Sequence, residues 1–171
     1  DSLGVGEATV AVASAGAEQI VEKLNEIKEL IVSAQSENVD HAKIQTDITA
    51  KTDQIASIIG AAQFNGANLL ATDVDGAGGT SVGVLASLDR VGAGGTVTAT
   101  EITIATVDFE ADIEGGTLTT ITDAASAATA LGDIETLLST AIDGAAALGA
   151  SGARLEDQGE FVSKLTDAMK S

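Results

Sequence analysis

The sequence predicts a mainly helical α+β fold. Two N-terminal helices and one long C-terminal helix form a rod-like stem, with a small β region inserted between them. Three observations lead there. Apolar residues recur in steps of three and four over both ends of the chain. The middle switches to Gly, Thr and Val with two-residue alternation. The 171 residues include no Pro, Cys, Trp or Tyr and only three Phe, yet 44% are hydrophobic. A core of Ala, Ile, Leu and Val without large rings suits long, closely packed helices better than a compact globule.

The first helix is expected over about Ser2 to Gln35. Val10, Ala13, Ala17, Ile20, Leu24, Ile27, Ile31 and Ala34 form one seam, with Glu18, Glu22, Glu26 and Glu29 mostly off it. Its length would be roughly 50 Å at 1.5 Å per residue. "SENVD" interrupts the pattern, and Asp40, or earlier Ser36, is placed to cap a second helix. There Ile44, Ile48, Ile55, Ile58 and Ala62 continue a seam, with Lys51 as its polar member. A short connection makes these two helices antiparallel neighbours.

After Gly60 the chain changes character. "SVGVLASL" and "TVTATEITIATVDFEADIE" read as strands, and the related stretches "GAGGTSV" and "GAGGTVT" read as glycine turns that feed them. From Ala124 to Lys170 the helical rhythm returns on Leu131, Ile134, Leu138, Ala141, Ala145, Leu148, Gly152, Leu155, Gly159, Val162 and Met169. Gly149 and Gly152 on that seam would allow close backbone approach. The resulting division is a stem of 1–64 and 121–171 with a β region of 65–120.

Composition also bounds function. A net charge of −18 with only eight Lys and Arg argues against nucleic acid and anionic membrane as partners. Without Cys there is neither a disulfide nor a thiolate metal site. The only His, His41, has no second His or Cys beside it and is read as a solvent-exposed residue at a helix start. Asp73-Val74-Asp75-Gly76 resembles the opening of a calcium loop, but Val84 stands where the closing Glu belongs, so a plain turn is favoured. Asp108, Glu110, Asp112 and Glu114 would share one face of a strand, read as a solvated outer face rather than a cation site. The glycine stretches lack Gly-Lys-Ser/Thr, and nothing pairs a nucleophile with a base. No catalytic, cofactor-binding or metal residue is assigned, and no enzyme is expected.

"AQFNGANLL" resembles the QFNG motif of bacterial flagellins. "LNEIKELIVSAQ" and "IQTDITAKTDQI" are similar to that family's N-terminal helices, and "LGDIETLLSTAIDGAAALGASGARLEDQGEFVSKL" to its C-terminal helix. The resemblance covers roughly 1–72 and 120–171. It implies the same stem architecture and a structural role in the flagellar filament. It implies other flagellin subunits as partners, and secretion to the flagellum or cell surface without a cleaved signal. The family's outermost polymerising segments have no counterpart here, so a soluble, mainly monomeric fragment is expected. Asn65-Gly66 is read as a turn with Phe64 buried beside it. The alternative is a flagellin-like surface protein that presents the β region to an external ligand such as a polysaccharide.

Overall fold

The computed structural model describes residues 2–90 and 97–170. Three long helices carry the fold: α1 (Ser2–Ser33), α2 (His41–Ala61) and α3 (Ala124–Lys170). Between α2 and α3 lie strands β1 (Ser81–Arg90) and β2 (Val97–Ala105) and a short π-helical turn, Glu110–Glu114. The second glycine stretch falls largely on 91–96, outside the described residues.

α1 is the common partner. Every member of its expected seam from Val10 to Ala34 is buried. α3 runs antiparallel along it. Lys28 Nζ lies 3.4 Å from Glu135 Oε1, and a Cβ on Gly152 would lie 3.5 Å from Val10 Cγ1. α2 covers another flank of α1, but only its C-terminal part. Lys51 Nζ donates to Glu26 Oε1 at 2.6 Å across that contact, and Ala62 at the end of α2 reaches Gly16. Lys51 thereby explains its place on the seam of α2: it reaches a partner on α1.

The hairpin covers the flank that α2 leaves open. β1 and β2 pair antiparallel from Ser81↔Ala105 to Arg90↔Val97, with a register shift between Leu85 and Ser87. A Cβ on Gly6 would lie 2.6 Å from Val84 Cγ2, so this helix-weakening glycine lets the hairpin approach. Ser2 Oγ accepts from Leu85 N at 2.9 Å, and Gln158 Nε2 donates to Ala86 O at 3.4 Å. Val84 and Ile104 therefore join the same hydrophobic cluster as the helices.

Residues 107–123 differ from the sequence expectation. β2 ends at Ala105, and Asp108 takes a left-handed φ of 48°. The chain then forms the π turn and runs back as a strap between α2 and α3. The four alternating carboxylates consequently share no strand face. Phe109 and Ile113 are buried by this strap, and a Cβ on Gly144 would collide with the Phe109 ring. Further along, Asp133 Oδ2 accepts from Thr119 N at 2.8 Å, and Gln45 Oε1 accepts from Ile121 N at 2.7 Å.

Several boundaries also move. α1 stops at Ser33, two residues before Gln35. The buried face of α3 ends at Leu155, so Val162 is only half-buried and Met169 is exposed. The cause is length: near Gly159 α3 reaches Glu7, close to the start of α1. Gly149 points away from the seam, with nothing within 4 Å of a Cβ built there. Gly144, absent from the expected seam, is the site of closest approach.

Gly144 and Gly149 should therefore respond oppositely to alanine. Gly149→Ala is expected to stabilise by about 1 kcal/mol through helix propensity. Gly144→Ala is expected to destabilise by roughly 1–3 kcal/mol through overpacking against Phe109. Urea unfolding of the two variants measures both; a shift in the same direction would mean that the ring does not occupy that notch.

Candidate assembly surface

At the end of α2 the junction "QFNGANLL" makes a tight turn. Asn65 and Gly66 both take positive φ, 53° and 80°. Phe64 N donates to Ala67 O and Ala67 N to Phe64 O, each at 3.0 Å. This is the arrangement in which Asn-Gly is favoured, because both central residues must be left-handed. Phe64 is only half-buried, contrary to expectation; the ring that fills the core is Phe109.

Asn68 joins three segments. Its Nδ2 donates to Ile59 O at 2.7 Å, a carbonyl at the end of α2 that otherwise accepts only a long 3.4 Å bond from Ala62 N. Its Oδ1 accepts from Leu70 N at 2.9 Å, and its own amide donates to Val74 O at 2.9 Å. Leu69 and Leu70 are thereby delivered fully buried. Leu69 O accepts from Val107 N at 2.9 Å, which ties the exit of β2 to the same point.

Four of the carboxylates singled out in the sequence, Asp73, Asp75, Asp108 and Glu110, serve these turns. Asp75 Oδ1 accepts from Ala77 N at 2.9 Å and Gly79 N at 3.0 Å. Those amides, Ala77 first, hold the Asp75 pKa below the ordinary carboxylate value. Asp73 Oδ1 accepts from Gly78 N at 2.9 Å. Asp108 accepts from the Thr72 hydroxyl and Glu110 from the Thr72 amide. Among the described residues, no group of three or more His, Cys, Asp or Glu side chains stands close enough to hold a metal ion.

The two ends of the rod differ. At one end the three helix termini meet. His41 sits at the start of α2 as expected, but it is half-buried, and its Nε2 lies 2.8 Å from Ala34 O. A carbonyl can only accept, so Nε2 carries the proton. Asp40 caps α2 by accepting from Lys43 N at 3.0 Å. Asp123 caps α3 by accepting from Ser126 N at 2.8 Å, while the Ser126 hydroxyl accepts from Asp123 N at 3.0 Å.

At the other end the last turns of α3 carry large apolar side chains that stay exposed. Phe161, Leu165 and Met169 are 57%, 49% and 80% exposed and lie four residues apart on one helix face. Val5 on α1 and Leu85 on β1 are exposed at the same end. Large apolar side chains aligned on one face are what a packing partner would cover.

Known proteins match both the sequence and the shape. The bacterial flagellin N-terminal helical region matches residues 1–75. Flagellin FljK of Caulobacter vibrioides is 34% identical over 99% of this chain and 58% of its own length. The flagellin of Brucella melitensis is 32% identical over 99% of this chain and 60% of its own. This chain belongs to the bacterial flagellin family. Flagellin A of Rhizobium meliloti is 44% identical over 55% of the chain and 24% of its own length. The chain thus spans between about a quarter and three-fifths of these flagellins. The crystal structure of Bacillus cereus flagellin shares the fold. Its TM-score is 0.74 at 21% identity, over 91% of this chain and 85% of that one.

Within this flagellin fold, sequence reasoning missed the strap. Phe109, Ala111 and Ile113 alternate with the carboxylates as they would in a half-buried strand, so the local pattern pointed to the wrong element. It also missed the α3 cap, although Asp123 followed three residues later by Ser126 is a capping pattern.

Asp123 carries a pH dependence. The Ser126 amide lowers its pKa first, the Ser126 hydroxyl next, and the His41 charge contributes. A carboxylate whose folded pKa is depressed stabilises the fold above its unfolded pKa, and loses that contribution as pH falls through the folded value. The melting midpoint of Asp123→Ala should lie below that of the parent at neutral pH. The gap should close as pH drops below about 4. Melts across that range test it, and a gap that widens on acidification would contradict the assignment.

Proposed function

We propose that this chain is the stem-forming part of a structural, non-enzymatic subunit of the flagellar filament, acting in motility outside the cell. The observation that carries the reading is the match of 99% of the chain to flagellins at 32–34% identity. Its partners are other flagellin subunits. The stem is formed by 1–64 and 121–171, and 65–120 forms the inserted region. Among the described residues no helix is long and apolar enough to cross a membrane.

The geometry suits that task. A filament subunit must be stiff along its length and adhesive at defined places. Stiffness comes from α1 gripped on separate flanks by α3, α2 and the hairpin. Adhesion comes from Phe161, Leu165 and Met169, since each large apolar side chain fully buried by a neighbour contributes about 1.5–3 kcal/mol. The net charge of −18 opposes premature association. The 171 residues alone are therefore expected to stay monomeric. Nothing favours a polysaccharide receptor: the three Phe are Phe64, Phe109 and Phe161, so neither strand offers a ring for a sugar to stack on.

The test is complementation in cells that lack their own flagellins, using the complete gene that encodes this chain. The parent should produce filaments visible by electron microscopy. Phe161→Ser combined with Leu165→Ser should shorten or abolish them while leaving the melting midpoint of the stem nearly unchanged. Absence of filaments with the parent would refute the filament role. Normal filaments with the double variant would remove this face from the assembly surface.

A further inference from the structure

The chain contains four Asn, and only Asn65 precedes a Gly. Asn65 and Gly66 are both exposed, and a Cβ built on Gly66 would meet nothing within 4 Å. Space is therefore open on the side-chain side of Gly66, and the residue is solvent-exposed. Its amide has one partner: it donates to Gln63 Oε1 at 3.0 Å. Asn68, three residues later, is half-buried, with both ends of its amide bonded and Leu69 following it.

We propose that Asn65 is the site at which this protein undergoes spontaneous deamidation, and that Gln63 is a positioning residue that slows it. The Gly66 amide loses its proton to solvent base, and its nitrogen attacks Asn65 Cγ. A new N–Cγ bond forms, the Cγ–Nδ2 bond breaks, and ammonia leaves. Water then opens the resulting cyclic imide at either carbonyl. One route yields aspartate, and the other yields isoaspartate with the main chain rerouted through the side chain. The net reaction consumes one water and releases one ammonia, with no oxidant or reductant.

Gln63 acts on the first step. Its carbonyl oxygen stabilises the protonated amide. Once the proton is gone, the nitrogen lone pair would face that oxygen, so deprotonation costs more. The hydrogen bond spans one tight turn and survives only while the junction is folded. Isoaspartate adds a main-chain carbon inside that turn and opposes the Phe64–Ala67 pairing.

The experiment incubates the full 171-residue chain in mildly alkaline buffer and follows each Asn by peptide mapping, resolving aspartate from isoaspartate. Five samples are compared: folded parent, folded Gln63→Ala, folded Gln63→Glu, and parent and Gln63→Ala each in urea. Asn65 should convert ahead of Asn25, Asn38 and Asn68. In the folded state Gln63→Ala should convert about fivefold faster than the parent, the ratio set by a net hydrogen bond of about 1 kcal/mol. Gln63→Glu, which still accepts and adds negative charge, should be no faster than the parent. In urea, parent and Gln63→Ala should converge. If Asn65 converts no faster than Asn25 in the folded parent, the site is wrong. Equal folded rates for parent and Gln63→Ala would remove the role of Gln63. A gap that persists undiminished in urea would do so too, because it would then be a local sequence effect. Should Gln63→Ala prove destabilised in melts, the Gln63→Glu arm decides: a faster rate there overturns the role.

Discussion

α2 and α3 both pack on the buried seam of α1, and β1 packs beside the start of the same helix. That seam runs from Val10 to Ala34, and no member of it keeps more than a trace of exposure. A helix cannot bury its own stripe, and one partner covers only one flank of it. α3 is long enough to follow α1 along its length. α2, with 21 residues against 32, is not. The uncovered part of α1 is the length beside Gly6, and there the hairpin replaces a helix. The β structure is thus a second way of closing one flank, and its burial at Val84 and Ile104 follows from that shortage.

This explains why the junction after α2 is so tightly built. Where α2 ends, the chain must change from helix to extended structure without leaving helix carbonyls and strand amides unpaired. Asn68 bonds to both sides, while Asn65-Gly66 turns the chain back. Leu69 and Leu70 are then fully buried, Leu70 against Gly16 of α1. Thr106 Oγ1 donates to Leu69 O and Ala71 O, so the exit of the second strand is fastened to the entry of the first. An acidic loop can hang from this point because its carboxylates accept from its own amides.

The helices were legible in the sequence because a buried stripe on a long helix imposes its period on many residues. The seam of α1 needed no correction, and α3 begins and ends at Ala124 and Lys170 as its rhythm indicates. Asp40 was legible because capping is a local interaction. The strap from Val107 to Asp123 was not. Its carboxylates alternate like a strand, but what decides its path is the groove between α2 and α3 and the notch at Gly144, which are properties of distant segments. His41 failed for the same reason. Nothing near it in sequence announces that Ala34, seven residues earlier, has a carbonyl to satisfy. The exposed end of α3 was misread because its repeat continues through Val162 and Met169 after α1 has ended.

That last failure carries information. A repeat records every partner a helix packs against, including partners outside the chain. Along α3 as far as Leu155, the partners are within the molecule. Beyond it, Phe161, Leu165 and Met169 keep an i, i+4 spacing with nothing described to bury them. Charge surrounds them: Glu160, Lys164, Asp167 and Lys170 share those turns. An apolar row bordered by both signs of charge can pack closely, while the charges select partner and register. The excess negative charge elsewhere weakens contact between copies in other orientations. A stiff, strongly acidic body and an apolar end thus sit side by side in one chain, and the length of α3 beyond α1 is where they meet.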